Sequence, residues 1–307
     1  MKQVLLFMIV IIVVGCEEVV ELNHQPEQRA CLNCVLNPDS LVRLSLHYTR
    51  SLDDNTDFVP IADARILFYE NGQEWAVATY DSAGLYSVNR YPQIGKTYSL
   101  TANIPGKTTL YASTTVPERP DIDTTVISKE VIYNPWEPDQ IYQIDYEVAY
   151  MINDQPGKDY YWNCVSQFTP YYNSVKLGTR MRYESIHNDH FNRDYDSGNG
   201  YYYYHFFIRQ TDDGYDGEIL KFTKNFTYWA MLYYGGEYCY LKELYDIFFN
   251  ADEHYDRYLK SSVKSWMLEQ EVLPIHEPVQ IYSNITNGLG VFGSASFTVF
   301  DYTVYKE

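Results

Sequence analysis

Basic residues are scarce in this chain: 23 Lys and Arg stand against 41 Asp and Glu in 307 residues, a formal charge of −18. A surface of that sign repels phosphate backbones and argues against nucleic acid as a partner. Long apolar runs are missing as well. The longest, Val4 to Val14, holds 11 residues, about half of the ~20 that a bilayer-spanning helix needs. Cysteine is sparse at 5 residues, too few for a disulfide-stapled scaffold. Cys31 and Cys34 form a lone Cys-x-x-Cys, and neither a second such pair nor a paired His completes a zinc site, so both read as buried small side chains. Of the His residues only His187 and His190 lie close together, within loop-like sequence. A Gly-x-Ser-x-Gly elbow is absent, and no Lys-Ser/Thr follows the glycines near residue 290 to make a phosphate-binding loop. Carboxylates such as Glu237 and Asp246 show no partner in the sequence and read as solvated or structural. The chain is therefore expected to be no enzyme.

What the chain does have begins at its first residues. Lys2 and the apolar run read as a signal peptide over residues 1–15, and the junction Val13-Val14-Gly15-Cys16 resembles a bacterial lipobox. In that reading Cys16 is acylated and becomes the mature N-terminus. Several acyl chains on one cysteine anchor a protein stably. Residues 16–28 are polar and acidic, a tether between the anchor and the folded body.

From 29 to 117 the signals are those of strands. Val42, Leu44, Leu46 and Tyr48 alternate with polar neighbours, the period of a half-buried strand. Asn71-Gly72 marks a hairpin. About seven strands at short spacing predict an immunoglobulin-like or transthyretin-like β-sandwich. Val116-Pro117-Glu118-Arg119-Pro120-Asp121 reads as a stiff linker. Residues 121–307 are again β-rich, with longer loops and one helix. Asn250 is the expected N-cap of that helix, with Glu253 completing a capping box. Tyr255, Tyr258, Leu259, Val263 and Trp266 follow at helical spacing, a stripe that reads as core packing. The whole is expected to be mainly β: a sandwich followed by a larger β-rich domain.

Three kinds of surface site are legible. Tyrosine numbers 33 residues, and its flat face with a polar tip suits recognition as well as packing. Tyr201, Tyr202, Tyr203, Tyr204 and His205 form the candidate ligand-binding patch, with Tyr171 and Tyr172 as a second. Asp194, Asp196, Asp212 and Asp216 offer hard oxygen donors on Gly-rich turns, a pattern suited to calcium, although neither loop has the full EF-hand spacing. The tripeptides at Asp39-Ser40-Leu41, Asp81-Ser82-Ala83 and Asp123-Thr124-Thr125 carry candidate O-glycosylation acceptors at Ser40, Ser82 and Thr124. A Cys164–Cys239 bridge is left open.

Several segments taken together resemble a known family. They are Gly15-Cys16-Glu17-Glu18-Val19-Val20-Glu21-Leu22, Leu36-Asn37-Pro38-Asp39-Ser40, Gly95-Lys96-Thr97-Tyr98-Ser99-Leu100, Tyr255-Asp256-Arg257-Tyr258-Leu259-Lys260-Ser261 and the closing run from Glu277 to Gly293. They resemble the Sus-associated lipoproteins known as domain of unknown function 4249. The resemblance implies an outer-membrane lipoprotein facing the cell exterior, encoded beside a TonB-dependent receptor and serving it as a non-catalytic nutrient-binding accessory. It carries no catalytic residues over. A second expectation is a structural or adhesive surface protein that binds another protein and no nutrient.

Overall fold

The structure, a computed structural model, describes residues 28–51, 54–136, 141–169, 174–177, 181–182, 208–212, 216–229, 231–234, 237–240, 243–270 and 279–302. It is mainly β, as the alternation predicts, with one helix among the described residues. The first part contributes eight strands: β1 (Ala30–Leu36), β2 (Val42–Tyr48), β3 (Arg65–Glu70), β4 (Gln73–Val77), β5 (Thr79–Ser82), β6 (Leu85–Val88), β7 (Thr97–Asn103) and β8 (Leu110–Thr115). The second begins with β9 (Ile122–Tyr133), β10 (Ile141–Asn153), β11 (Tyr160–Thr169), β12 (Ser174–Leu177), β13 (Met181–Arg182) and β14 (Ile208–Thr211). It continues with β15 (Ile219–Trp229), β16 (Met231–Tyr234), β17 (Glu237–Tyr240), β18 (Glu243–Ala251), helix α1 (Glu253–Gln270) and β19 (Leu289–Asp301).

One large sheet runs through the molecule in the order β12-β11-β18-β19-β1-β2-β6-β5, with β14 also paired to β11. Its centre joins the two ends of the chain, because β19 pairs in parallel with β1 from Cys31↔Leu289 to Leu36↔Ser294. Two four-stranded sheets, β4-β3-β7-β8 and β13-β15-β10-β9, pack against it. Side chains two residues apart share a face of a strand, so Phe292 and Phe300 of β19 point the same way. Phe292 closes the first core, with Leu32, Leu44, Phe68 and Leu100. Phe300 lies beside Tyr150 and Phe248 of the second core. The small sheets therefore sit side by side on one face. Ala295 and Phe297 point the other way, into a cluster with Trp162 and Phe249 on which Tyr255, Leu259 and Val263 of α1 pack. The helical stripe is core packing, as its spacing predicts.

Between Phe292 and Phe300 the same face of β19 carries hydroxyls. Ser294 Oγ donates to the Thr115 carbonyl (2.8 Å), Ser296 Oγ to Pro117 (2.6 Å) and Thr298 Oγ1 to Pro120 (2.8 Å). The Pro-punctuated segment is thus stitched down along its length. Arg119 adds an ion pair to Asp39 and a bond to the Phe297 carbonyl.

The closing glycines have a packing reason. A Cβ on Gly293 would meet Tyr255 Cβ at 2.7 Å, and one on Gly290, whose φ is +104°, would meet the Leu32 carbonyl oxygen at 2.0 Å. The strand can approach α1 and β1 only without side chains there. One local expectation is corrected. The helix is capped by Asp252, which accepts from the amides of Tyr255 (3.0 Å) and His254 (3.3 Å). Asn250 lies inside β18, where its side chain bridges Tyr160 and Asp159. Cys164 is a free, buried thiol. Cys31 and Cys34 are also free; three residues apart on one strand, they point to opposite faces and cannot close on one ion.

Candidate functional site

The described polar clusters fall into a closed one and an open one. The closed cluster is Lys224 and Asp246, both fully buried, in an ion pair between β15 and β18. Asn163 Nδ2 donates to Asp246 Oδ1 at 2.7 Å, Tyr150 donates its hydroxyl to Asp246 Oδ2, and Lys224 Nζ donates to Asn163 Oδ1 at 2.9 Å. Burial pulls the ammonium of Lys224 below its ordinary pKa while Asp246 opposes that pull. Burial, reinforced by the Asp246 charge, drives the Tyr150 phenol far above its own. Asp246 is fully buried, with its oxygens engaged by Lys224, Asn163 and Tyr150. A second buried pair, Arg209–Asp256, ties β14 to α1 with the indole of Trp162 donating to the same carboxylate.

The open cluster lies where four chain segments meet at one end of the second half. Asp154 follows β10, Asp159 precedes β11, Asp212 follows β14 and Asp216 precedes β15. Oxygens of Asp154, Asp212 and Asp216 lie within 4.8 Å of one another; the first two are buried and the third is exposed. Backbone turns fix the set. The amide of Gly217 donates to Asp154 Oδ2 (2.8 Å), that of Gly157 to Asp216 Oδ1 (2.8 Å) and that of Asp159 to Asp212 Oδ2 (3.2 Å). Tyr161 donates its hydroxyl to Asp154 Oδ1 at 2.5 Å. Burial first, then the charges of Asp154 and Asp212, raise the Asp159 carboxyl above its ordinary value. Burial and the bond to Asp154 raise Tyr161 still further. A hard oxygen set of this span could hold a divalent cation of calcium's size. The arrangement presents no nucleophile beside a base.

The sequence-predicted residues fare unequally. Asp212 and Asp216 lie together with Asp154, which sequence reasoning missed. The only available signal was Asp154 immediately before Gln155-Pro156-Gly157, a turn that ends a strand. Asp194, Asp196, Tyr171, Tyr172, Tyr201, Tyr202, Tyr203, Tyr204 and His205 lie outside the described residues. Ser40 is exposed in the turn between β1 and β2, and Ser82 is exposed at the end of β5. Thr124 sits within β9, half-buried opposite Tyr150. Asn284, part of an Asn-Ile-Thr tripeptide, clamps Phe292 instead, donating to its carbonyl (2.8 Å) and accepting from its amide (2.9 Å).

A polar cleft of about 230 Å³ lies between β8 and the start of α1, lined by Thr97, Thr114, Asp252, Glu253 and His254. Asp252 already accepts bonds from Thr114 Oγ1 and the Ser294 amide there. A second cleft opens beside the start of β1.

Comparison with family models matches residues 17–300 to a family described as Domain of unknown function (DUF4249). Comparison with curated proteins finds none that matches. Among solved structures, a "Putative membrane anchored protein from Corynebacterium diphtheriae" is similar at 9 % identity with a TM-score of 0.21. The match covers 73 % of this chain and 54 % of that one, so the chain spans about half the length of that protein. No argument rests on a likeness of that degree.

Proposed function

We propose, from the premise that the chain belongs to the DUF4249 family, that it is a lipid-anchored outer-membrane protein working beside a TonB-dependent receptor. Its task is to hold or present a nutrient, and it breaks no bond. The observation that carries this reading is the placement of Cys16, directly after Gly15 at the end of an 11-residue apolar run. Acylation there would fix the body to a membrane.

The fold supports the reading in one respect. The tether from Cys16 leads into β1, which is paired on one side to β2 and on the other to β19. A pull on the anchor is therefore shared by two ladders at the centre of the largest sheet. The proposed contacts are Tyr171, Tyr172, Tyr201–Tyr204 and His205.

Purification from detergent-solubilised outer membrane tests the proposal. A receptor should copurify in stoichiometric amount, and Cys16→Ser should release the chain from the membrane. Recovery of a lone monomer would count against the receptor, and a complex with a different surface protein would favour the adhesive role.

A further inference from the structure

The cleft beside the start of β1 stands apart from the acidic surface. It encloses about 210 Å³, and its lining includes Gln28, Arg29, Lys107, Thr108 and Asn287 with no carboxylate. In a chain of net charge −18, two cations with no carboxylate among the described residues lining one concavity are a local reversal of sign. Arg29 spends one N–H on the Gly288 carbonyl (2.9 Å), and this fixes the guanidinium at the rim. A guanidinium has five N–H donors, so further ones remain to face an anion. Lys107 follows the Pro105-Gly106 turn and holds its ammonium 6.0 Å from the Tyr48 ring. The Thr108 hydroxyl and the Asn287 amide supply further polar groups. A guanidinium, an ammonium and neutral donors around a small volume are the chemistry that receives a phosphate.

The position of the cleft identifies the source of the phosphate. Gln28 ends the tether and Arg29 begins the folded body, and the chain from Cys16 to Gln28 spans at most ~40 Å. Resting on the lipoprotein reading above, this end of the molecule is the one that faces the membrane. We propose that the cleft seats the phosphate of an anionic lipid headgroup and so sets the tilt of the body on its tether. The overall negative charge does not forbid this, because charges farther away than about 8 Å are largely screened at physiological salt.

A test needs the anchor without the acyl chains. A chain starting at residue 17 with an N-terminal hexahistidine tag is bound to vesicles of nickel-chelating lipid and phosphatidylcholine, with or without phosphatidylglycerol. Hydrogen exchange is then followed in residues 104–110. Phosphatidylglycerol should slow that exchange about fivefold, the weight of one cation at an anionic surface. Lys107→Gln, an exposed change, should remove the effect with melting unchanged, and Arg29→Gln should do the same. Equal exchange on both vesicles, or full protection in Lys107→Gln, would overturn the assignment. Equal protection by inorganic phosphate on phosphatidylcholine alone would also overturn it, in favour of a free phosphate site. The tag supplies attachment whether or not Cys16 is acylated, so failure of the lipoprotein reading would show separately, in the mass of the native N-terminus.

Discussion

The two halves of the chain bury different things. Residues 29–117 close over an apolar cluster from Ala30 to Val116, and among the described residues there Thr114, at the border with β19, is the one buried polar residue. The second half buries Asp154, Asn163, Arg209, Asp212, Lys224, Asp246, Asn250 and Asp256 among its aromatics. Apolar burial contributes stability in proportion to area and tolerates small errors of fit. A buried charge does neither: it is stable only with its partner in place. The first half is therefore held by many interchangeable contacts and the second by a few that cannot be exchanged.

The sharpest way to break that contrast is Lys224→Met. It leaves the Asp246 carboxylate in the core without its counter-charge, held only by Asn163 and Tyr150, and breaking such a pair costs about 3–5 kcal/mol. Lys224→Met with Asp246→Leu should recover most of the loss, since an apolar pair of similar volume packs as well. Urea unfolding of the mature chain reads both. A single variant as stable as the native chain would mean that the pair is already open to water.

The same contrast governs what could be read from sequence. The strands of the first half announce themselves because their inward positions are apolar, as Val42, Leu44 and Leu46 show. In the second half, Lys224 and Asp246 occupy inward positions on β15 and β18, and a binary pattern assigns them to the surface. Asp154 was missed for a related reason. Its partners Asp212 and Asp216 are some sixty residues away, joined to it by strand pairing alone. Asn250 reads as the cap because Glu253 stands three residues on, the spacing of a capping box. The backbone turns inward at Asp252, where Ser294 and Thr114 also need an acceptor. The parallel pairing of β1 with β19 joins segments more than 250 residues apart, and no local signal marks it.

Next in size is the stitched linker, the place where the two halves meet. Ser294→Ala, Ser296→Ala and Thr298→Val together remove three hydrogen bonds to the carbonyls of Thr115, Pro117 and Pro120. At about 1 kcal/mol each, the expected loss is ~3 kcal/mol. Calorimetry should show one transition in the native chain and two in the triple variant, with the apolar half melting later. A smaller loss, about 0.5–2 kcal/mol, is expected for Asp252→Ala, which uncaps α1; helical circular dichroism should fall while the β signal stays.

The smallest effect has the most informative sign. Asp159 sits among carboxylates, and its pKa is raised by burial and by Asp154 and Asp212. The folded chain therefore holds this proton more tightly than the unfolded one. Stability falls as pH rises from the ordinary carboxylate value, about 3.9, through the raised one, and the full penalty is present at neutral pH. Asp159→Asn removes it while keeping an oxygen for the Asn250 amide. The variant should be more stable than the native chain by ~0.5 kcal/mol at neutral pH, a modest figure because solvent screens a half-buried charge. The difference should vanish in acid, below both values. Urea midpoints at the two pH values measure it. A loss of stability at neutral pH, widened by added calcium that stabilises the native chain alone, would give the opposite sign. It would mean that these carboxylates are gathered around an ion, as the charges of the buried pairs are gathered around each other.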